Sequence, residues 1–146
     1  MEISEMTQVT EDVLVAFSRL IPQLTADKPG PTRAILSHLA ESSASRVFLA
    51  RDLEGSGEII GTATLVIVET PTRRQGWIED VVVDAGARRR GVGRALTEAC
   101  LEMARGLALD AVNLTSNPAR TAANSLYQQM GFVQHETNLY RKNLLE

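Results

Sequence analysis

The stretch VVVDAGARRRGVGRALTEA, residues 81–99, carries three structural signals in succession. Its three valines are apolar on both faces, which is typical of a central strand that is covered on both sides. Three arginines follow, and Gly91-Val92-Gly93 then opens a pattern of helical period. A strand, a basic turn and a glycine-rich helix start, in that order, predict an α/β fold in which the turn faces an anionic group.

Two well-known phosphate motifs do not fit the Gly-x-Gly. A dinucleotide-binding fingerprint needs a third glycine where this chain has Leu96. The NTPase phosphate loop needs Lys-Ser/Thr after its second glycine, where Arg94 and Ala95 follow instead. A solvated basic turn whose glycines only ease a tight corner stays open as an alternative. The context favours an anion site, because backbone N–H groups and the helix dipole attract negative charge and glycines allow a phosphate to approach, so pyrophosphate is the expected guest.

The composition limits the classes of function. The length of 146 residues suits one domain, and 44% hydrophobic with 23% charged residues is ordinary for a globular protein. The net charge of -3 argues against a nucleic-acid partner. The start has no basic and apolar leader, the aliphatic runs are too short to cross a bilayer, and the single cysteine and two histidines have no metal-ligand spacing. We therefore expect a single domain over residues 1–146, a cytoplasmic location, and no metal, membrane or nucleic acid.

The rest of the chain alternates between helical and strand patterns. Before residue 85 we expect a short edge strand in 2–9, helices at 10–24 and 32–42, strands at 46–53, 58–69 and 77–84, and turns at 54–57 and 71–76. After it we expect a helix over 91–106, a strand at 111–116, a helix that starts at Asn117-Pro118 and ends at Gly131, and a last strand at 133–144. This order predicts one mixed, twisted sheet of about six or seven strands, flanked by helices on both faces.

Two blocks of the sequence resemble the GCN5-related N-acetyltransferase (GNAT) family. Residues 88–93, RRRGVG, match its Arg/Gln-x-x-Gly-x-Gly/Ala signature. Residues 120–132, RTAANSLYQQMGF, are similar to its Ala-x-x-Leu-Tyr-x-x-x-Gly-Phe block, and the order and spacing of the two blocks also agree. The resemblance covers about residues 46–144. It implies the GNAT (acyl-CoA N-acyltransferase) fold and an acetyl-CoA-dependent N-acetyltransferase that needs no metal.

The resemblance also implies where acetyl-CoA lies. In the family it occupies a gap where two parallel strands separate, which are residues 77–84 and 111–116 in this chain. The main chain of Val81 and Val83 would pair with the pantetheine arm. A free N–H at Val82 or Val83 would polarise the thioester carbonyl, and the N–H groups of residues 89–94 would hold the pyrophosphate. The implied cofactor contacts are Val81, Val82, Val83, Arg88, Arg89, Arg90, Gly91, Val92, Gly93, Arg94, Asn124 and Tyr127.

Acyl transfer to an amine needs a base for the amine and an acid for the departing thiolate. Tyr127 matches the family's tyrosine that protonates the thiolate, and its structural alternative is an amphipathic core tyrosine. Glu79 is the candidate base; its alternatives are a solvated strand-end charge, a substrate-binding group, and proton transfer through water. Strand alternation predicts two groups, each on its own face: Trp77, Glu79, Val81 and Val83 on one, Ile78, Asp80 and Val82 on the other.

One position departs from the family. Many members have Asn seven residues before the tyrosine, where this chain has Arg120. We assign Asn124 to cofactor contact, because it precedes Tyr127 by about one helical turn, and we assign Asn117 to an N-cap. Cys100 lies in the apolar stripe of its helix and is predicted to be core rather than a nucleophile.

The acceptor is harder to derive than the donor. We expect a primary amine of a small molecule or peptide, recognised by the helices at 10–42 and the loops at 70–76 and 134–140, with direct transfer in a ternary complex. The alternative from another class is a non-catalytic acyl-CoA-binding or sensor protein of the same fold. The resemblance is also compatible with a homodimer.

Overall fold

A computed structural model describes residues 1–145 of the chain. The contacts divide them into two compact units, one of Met1–Leu114 and a second that begins at Thr115. The single domain over residues 1–146 stays a prediction.

The first unit is built on one mixed five-stranded sheet in the order β1-β2-β3-β4-β5. Neighbouring strands from β1 to β4 are antiparallel, whereas β5 is parallel to β4. A β-strand followed by a helix and a parallel strand is the α/β arrangement that the opening stretch predicts. The strands are β1 Glu2–Glu5, β2 Ser45–Arg51, β3 Ile59–Thr70, β4 Arg73–Val83 and β5 Ala111–Asn113.

Helices cover both faces of this sheet, as predicted. They are α1 Glu11–Leu24, α2 Arg33–Glu41 and α3 Val92–Gly106, all in the first unit. The second unit contains α4 Thr121–Gln129. On one face, buried residues of α1 and α2 form a cluster with the inward side chains of the strands: Met6, Val13, Ala16, Phe17, Leu20, Leu36, Val47, Leu49, Ile59 and Val82. On the other face α3 packs closely against the sheet. A Cβ atom added to Gly61 would lie only 3.0 Å from Val92 Cγ1 and 3.1 Å from Leu96 Cδ1.

The helix starts follow local capping chemistry in one case and not in the other. Thr32 caps α2, since its Oγ1 accepts a hydrogen bond of 3.2 Å from the N–H of Ile35. Thr10 stands at the N-cap of α1, but its hydroxyl bonds the carboxylate of Asp12 and caps no backbone group. The predicted position is correct in both helices.

Four predictions about the helices and strands are wrong. The strand expected at 111–116 is shorter, since β5 ends at Asn113. The turn at 71–76 is shorter, because Thr70 pairs with Arg73 and β4 begins there; the Glu69–Arg74 ion pair supports this exposed hairpin end. The helix does not start at Asn117-Pro118, since α4 begins at Thr121. The last strand at 133–144 does not form: residues 133–145 are exposed and have no helical or strand structure, so the described sheet has five strands rather than six or seven. A loosely alternating pattern does not make a strand without a hydrogen-bonding neighbour.

Within residues 1–145, none of the helices has the length and apolar content needed to cross a membrane.

Candidate active site

The two parallel strands β4 and β5 pair along only part of their length. Their register runs from Gln75 opposite Ala111 to Trp77 opposite Asn113, and there the pairing ends. β4 continues for six more residues, to Val83, and on its β5 side those residues have no strand partner among residues 1–145. An unpaired strand edge carries N–H and C=O groups that can pair with another extended chain. The edge from Ile78 to Val83 is therefore available to a linear ligand.

A β-bulge interrupts β4 within this open segment. Thr64 of β3 stands opposite Glu79 and Thr62 stands opposite Val82, so two residues of β4 face one residue of β3. Asp80, the first of the two, has a positive φ of 51°, a conformation in which Asp is less strained than most residues. Such bulges bend a strand and redirect its side chains.

The bulge makes the predicted alternation wrong beyond Glu79. Thr62 and Thr64 share a face of β3, so Glu79 and Val82 share a face of β4. Val82 packs in the cluster with α1 and α2. Val83, opposite Gly61, belongs to the other face, where α3 packs. Glu79 is thus on the α1/α2 face and not on the face of Val83.

The basic turn after β4 has an unusual backbone. A short 3-10 turn, Ala85–Ala87, leads into the arginines. Arg89 and Gly91 have positive φ angles of 64° and 79°, while Arg90 between them does not. Backbone segments with alternating φ sign direct successive N–H groups into one concavity, which is a common anion-binding arrangement. A left-handed conformation favours glycine at position 91, as the sequence provides.

Helix α3 starts directly at this turn. Gly91 is its N-cap and has no side chain with which to cap. The first intrahelical hydrogen bond runs from Ala95 N–H to Gly91 O at 3.0 Å. The N–H groups of Val92 and Gly93 precede that bond and have no intrahelical acceptor. Together with the helix dipole they provide the positive end that an anion needs.

The three arginines of the turn differ in their side-chain surroundings. Arg88 and Arg89 are exposed and form no ion pair with the residues that the structure describes. The Arg90 guanidinium lies 3.2 Å from the carboxylate of Asp52, which follows β2. Arg88 and Arg89 thus leave positive charge at the rim of the turn, whereas the charge of Arg90 is balanced.

The turn is also tied to α1 by a network that the sequence did not reveal. Arg19 donates to Asp84 Oδ2 at 3.1 Å, and Gln23 donates to Asp84 Oδ1 at 3.4 Å and accepts from Ala85 N–H at 2.8 Å. Burial raises the pKa of Asp84, but the hydrogen bonds from Arg19 and Gln23 outweigh it and hold that pKa below its ordinary value. No local sequence signal could have linked residues so far apart in the chain.

Tyr127 lies in the second unit, at the C-terminal end of α4. Phe132 N–H donates to Tyr127 O at 3.0 Å and Gly131 N–H donates to Gln128 O at 3.1 Å, while Gly131 has a φ of 92°. These are the bonds of a Schellman cap. The rings of Tyr127 and Phe132 meet edge to face with centroids 5.8 Å apart. The block Leu-Tyr-x-x-x-Gly-Phe therefore also has a local structural purpose, and Tyr127 is buried.

The two asparagines before Tyr127 interact with each other. Asn117 Oδ1 accepts from Ala119 N–H at 2.8 Å and forms an Asx-turn, which explains why it does not cap α4. Asn124 donates from its side-chain amide to Asn117 O at 3.0 Å. The Asn124 amide thus supports the start of α4 in this structure, and its cofactor contact stays a prediction.

Cys100 behaves as the core residue that the sequence predicts. Its side chain is buried on α3, and burial raises the pKa of its thiol to about 12. The thiol is therefore protonated at neutral pH and is a poor nucleophile. Residues 1–145 contain no group of three or more His, Cys, Asp or Glu side chains arranged to hold a metal ion.

The predicted site residues fall into two sets. Glu79, the three valines and residues 88–94 follow one another along β4, the turn and the start of α3 in the first unit. Asn124 and Tyr127 belong to α4 in the second unit.

Several known proteins are similar to this chain in sequence and in structure. The model of the acetyltransferase (GNAT) family matches residues 11–132. Glucosamine 6-phosphate N-acetyltransferase 1 of Oryza sativa subsp. japonica is 29% identical over 134 residues, which are 88% of this chain and 79% of that protein. Mycothiol acetyltransferase of Beutenbergia cavernae is 34% identical over 89 residues, 61% of this chain but only 29% of that protein. A solved acetyltransferase structure from Trypanosoma brucei has a TM-score of 0.76 at 27% identity, covering 97% of this chain and 100% of that one.

Proposed function

The chain belongs to the acetyltransferase (GNAT) family, and on that premise we propose that it transfers the acetyl group of acetyl-CoA directly to a primary amine of a small molecule or peptide. Family membership makes it an acetyltransferase that uses acetyl-CoA and an acceptor amine. The proposal adds the class of acceptor, direct transfer within a ternary complex, and the roles of individual residues.

One observation carries the donor half of the proposal: β4 has an open edge that leads straight into a turn built to attract anions. The pantetheine arm is a linear chain with amide groups, which suits pairing with the main chain of Val81 and Val83. A main-chain N–H at Val82 or Val83 would stabilise the oxyanion that develops on the thioester carbonyl.

The phosphate end of the donor needs positive potential without a metal. The N–H groups of residues 89–94, the dipole of α3 and the exposed guanidinium groups of Arg88 and Arg89 supply it. Asn124 is the remaining proposed cofactor contact, through the side-chain amide that otherwise bonds Asn117. The donor set consists of neutral N–H groups and arginines and fits a pyrophosphate.

Glu79 is the proposed general base. An alkyl amine has an ordinary pKa of about 10.4, so it must lose a proton before its nitrogen attacks the acetyl carbon. Glu79 is exposed beside the bulge, at the open edge of β4, and its carboxylate would accept that proton directly or through one water.

Tyr127 is the proposed general acid. As the C–S bond breaks, its phenolic O–H would give a proton to the CoA sulfur, so that free thiol leaves. The Schellman cap and the contact with Phe132 fix its backbone and ring. A side chain held in this way is suited to proton transfer, because it needs little reorganisation.

The face of the sheet on which Glu79 lies supports a proposal about the class of acceptor. That face of the sheet carries α1 and α2, the helices that the sequence assigns to acceptor recognition. The relative from Oryza sativa is named for glucosamine 6-phosphate, a primary amine on a small phosphorylated sugar. This supports a small-molecule amine and makes glucosamine 6-phosphate the first acceptor to test. The cytoplasmic location, the homodimer and the lack of a nucleic-acid partner stay predictions.

The test is a panel of amines incubated with acetyl-CoA, with release of free thiol followed against time and products identified by mass. It includes glucosamine 6-phosphate, other amino sugars, polyamines and peptides with free amino groups. We expect one chemical class to give turnover and initial-rate lines that intersect when both substrates are varied. Parallel lines would instead indicate an acetyl-enzyme, and a Cys100→Ala control that keeps its activity excludes the single thiol. Tight acetyl-CoA binding without turnover on any amine would favour the sensor alternative.

A further inference from the structure

Asp52 and the basic turn after β4 lie at the same end of the sheet, where β2 and β4 both finish. β2 and β4 are each antiparallel to β3, so they run in the same direction and their C-terminal ends lie on the same side of the molecule. Asp52 follows the end of β2, and Asp84 follows the end of β4. Two carboxylates thus stand at neighbouring strand ends, one on each side of the start of β3.

The surrounding turn fixes the carboxylate of Asp52. Its backbone closes the β2–β3 turn, with hydrogen bonds of 2.9 Å to Glu58 O and 2.7 Å from Gly57 N–H. Its Oδ1 accepts from Gly55 N–H at 3.1 Å. A Cβ atom on Gly55 would lie 2.5 Å from Oδ2, so a larger residue at position 55 would displace the carboxylate from its present place. The Asp52 side chain is only 10% exposed, and the bond from Gly55 holds one of its two oxygens within the turn.

The second carboxylate oxygen of Asp52 faces Arg90. Oδ2 lies 3.2 Å from Nη2 of Arg90, whose side chain is about half exposed. Arg90 stands between Arg89 and Gly91, the two residues of the turn with positive φ. Arg89 has a Cβ atom, so its left-handed conformation is unfavourable by itself and must be held by neighbouring contacts.

We infer that Asp52 is a positioning residue for the donor site: by holding Arg90 it fixes the backbone of residues 89–91 in the conformation that binds the pyrophosphate. This inference rests on the proposed function. It also gives the arginines different roles: the side chains of Arg88 and Arg89 supply positive charge to the phosphates, whereas the Arg90 side chain stabilises the turn.

The test is a double-mutant cycle on acetyl-CoA binding, measured by calorimetry on the full chain. Asp52→Asn and Arg90→Gln each remove the ion pair, and we expect each to raise the dissociation constant about fivefold. The double variant should bind no more weakly than the weaker single variant, because both changes remove one interaction. In steady-state assays the KM for acetyl-CoA should rise while kcat and the KM for the amine stay within about twofold.

A second variant displaces the carboxylate of Asp52 without removing its charge. Gly55→Ala places a methyl group against the carboxylate, and it should weaken acetyl-CoA binding in the wild-type background but not in the Arg90→Gln background. This keeps the inference testable if Asp52→Asn does not fold. The matched control is Glu5→Gln, which removes a partly buried ion pair with Arg46 at the other end of β2. The control should lower stability without changing the dissociation constant.

Three results would overturn the inference. Asp52→Asn could tighten binding, which would mean that Asp52 competes with the phosphates for Arg90. The two single effects could add in the double variant, or neither variant could change the dissociation constant. A wild-type protein that does not bind acetyl-CoA is a different result, because it would contradict the proposed function itself.

Discussion

Arg19 of α1 and Asp84 at the end of β4 form an ion pair, with 3.1 Å between Nε and Oδ2, although they are 65 positions apart in the chain. The same guanidinium donates to Ile59 O at the start of β3. Helix α1 therefore links the end of β4 to the start of β3, next to the basic turn. Because Asp84 is the residue from which that turn starts, this pair connects the stability of the unit to the shape of its candidate donor site.

The Arg19–Asp84 pair predicts a pH-dependent contribution to stability. The folded pKa of Asp84 is lowered, so the pair stabilises the protein above the unfolded pKa of about 3.9, and that stability is lost as pH falls through the folded pKa. Asp84→Asn should lower Tm by about 3 °C at pH 7, equivalent to about 1 kcal/mol for a partly exposed pair. The difference from wild type should shrink below about pH 4.

Thermal melts of both proteins from pH 3 to pH 8 check this expectation. Asp27→Asn is the control, because Asp27 is exposed in the loop between α1 and α2. A wild-type and Asp84→Asn difference that is constant over this range would mean that the carboxylate charge is not what stabilises the turn.

Gly61 lies where the start of α3 packs closely against the sheet. A Cβ atom there would meet Val92 Cγ1 at 3.0 Å, Leu96 Cδ1 at 3.1 Å and Val82 O at 3.1 Å. Gly61→Ala should therefore cost about 1–3 kcal/mol of folding stability. It should also raise the KM for acetyl-CoA, because Val92 belongs to the first turn of α3. Denaturant unfolding and steady-state kinetics measure the two effects.

Gly106→Ala is the matched control, since it lies at the other end of α3 where a Cβ atom meets nothing within 4 Å. It should leave the KM unchanged and keep or slightly raise stability. Equal kinetic effects of the two variants would argue against a link between the packing at Gly61 and donor binding.

Tyr127→Phe tests the general acid separately from the helix cap. The variant keeps the ring that contacts Phe132 and the backbone bonds of the Schellman cap. We expect kcat to fall about 10²-fold or more while the dissociation constant for acetyl-CoA changes little. Phe132→Leu removes the ring contact and keeps the hydroxyl, so it should lower Tm and retain most of kcat. Unchanged turnover in Tyr127→Phe would remove Tyr127 as the acid.

Glu79→Gln tests the general base. We expect kcat to fall about 10²-fold at pH 7 and the remaining rate to rise with pH, because solvent hydroxide then has to deprotonate the amine. Asp80→Asn is the control: Asp80 is also exposed and lies in the bulge, and Asn tolerates its positive φ. A Glu79→Gln variant that changes only the KM for the amine would identify Glu79 as a substrate-binding group.

Much of the first unit could be predicted from local sequence. The period-two and helical patterns located β2, β3, α2 and α3 to within about two residues. The end of β4 was located equally well, whereas its start lies at Arg73 and not at residue 77. The start of α4 could not be located in this way, because an asparagine is common both as an N-cap and in an Asx-turn, and Asn117 forms the Asx-turn. The strand expected at 133–144 had only a weak alternating pattern to support it, and no strand forms there.

The sequence by itself determined the order of a buried strand, a basic turn and a helix that begins after Gly91, because these depend on residue type and on neighbours a few positions away. Only the tertiary structure decided which face carries Glu79, since a bulge at Asp80 shifts the register of β4 relative to β3. It also decided that β5 stops pairing at Trp77 and that Asp52 and Arg19 hold the basic turn. Those features depend on hydrogen bonds and ion pairs between distant parts of the chain, which strand and helix periodicity does not encode.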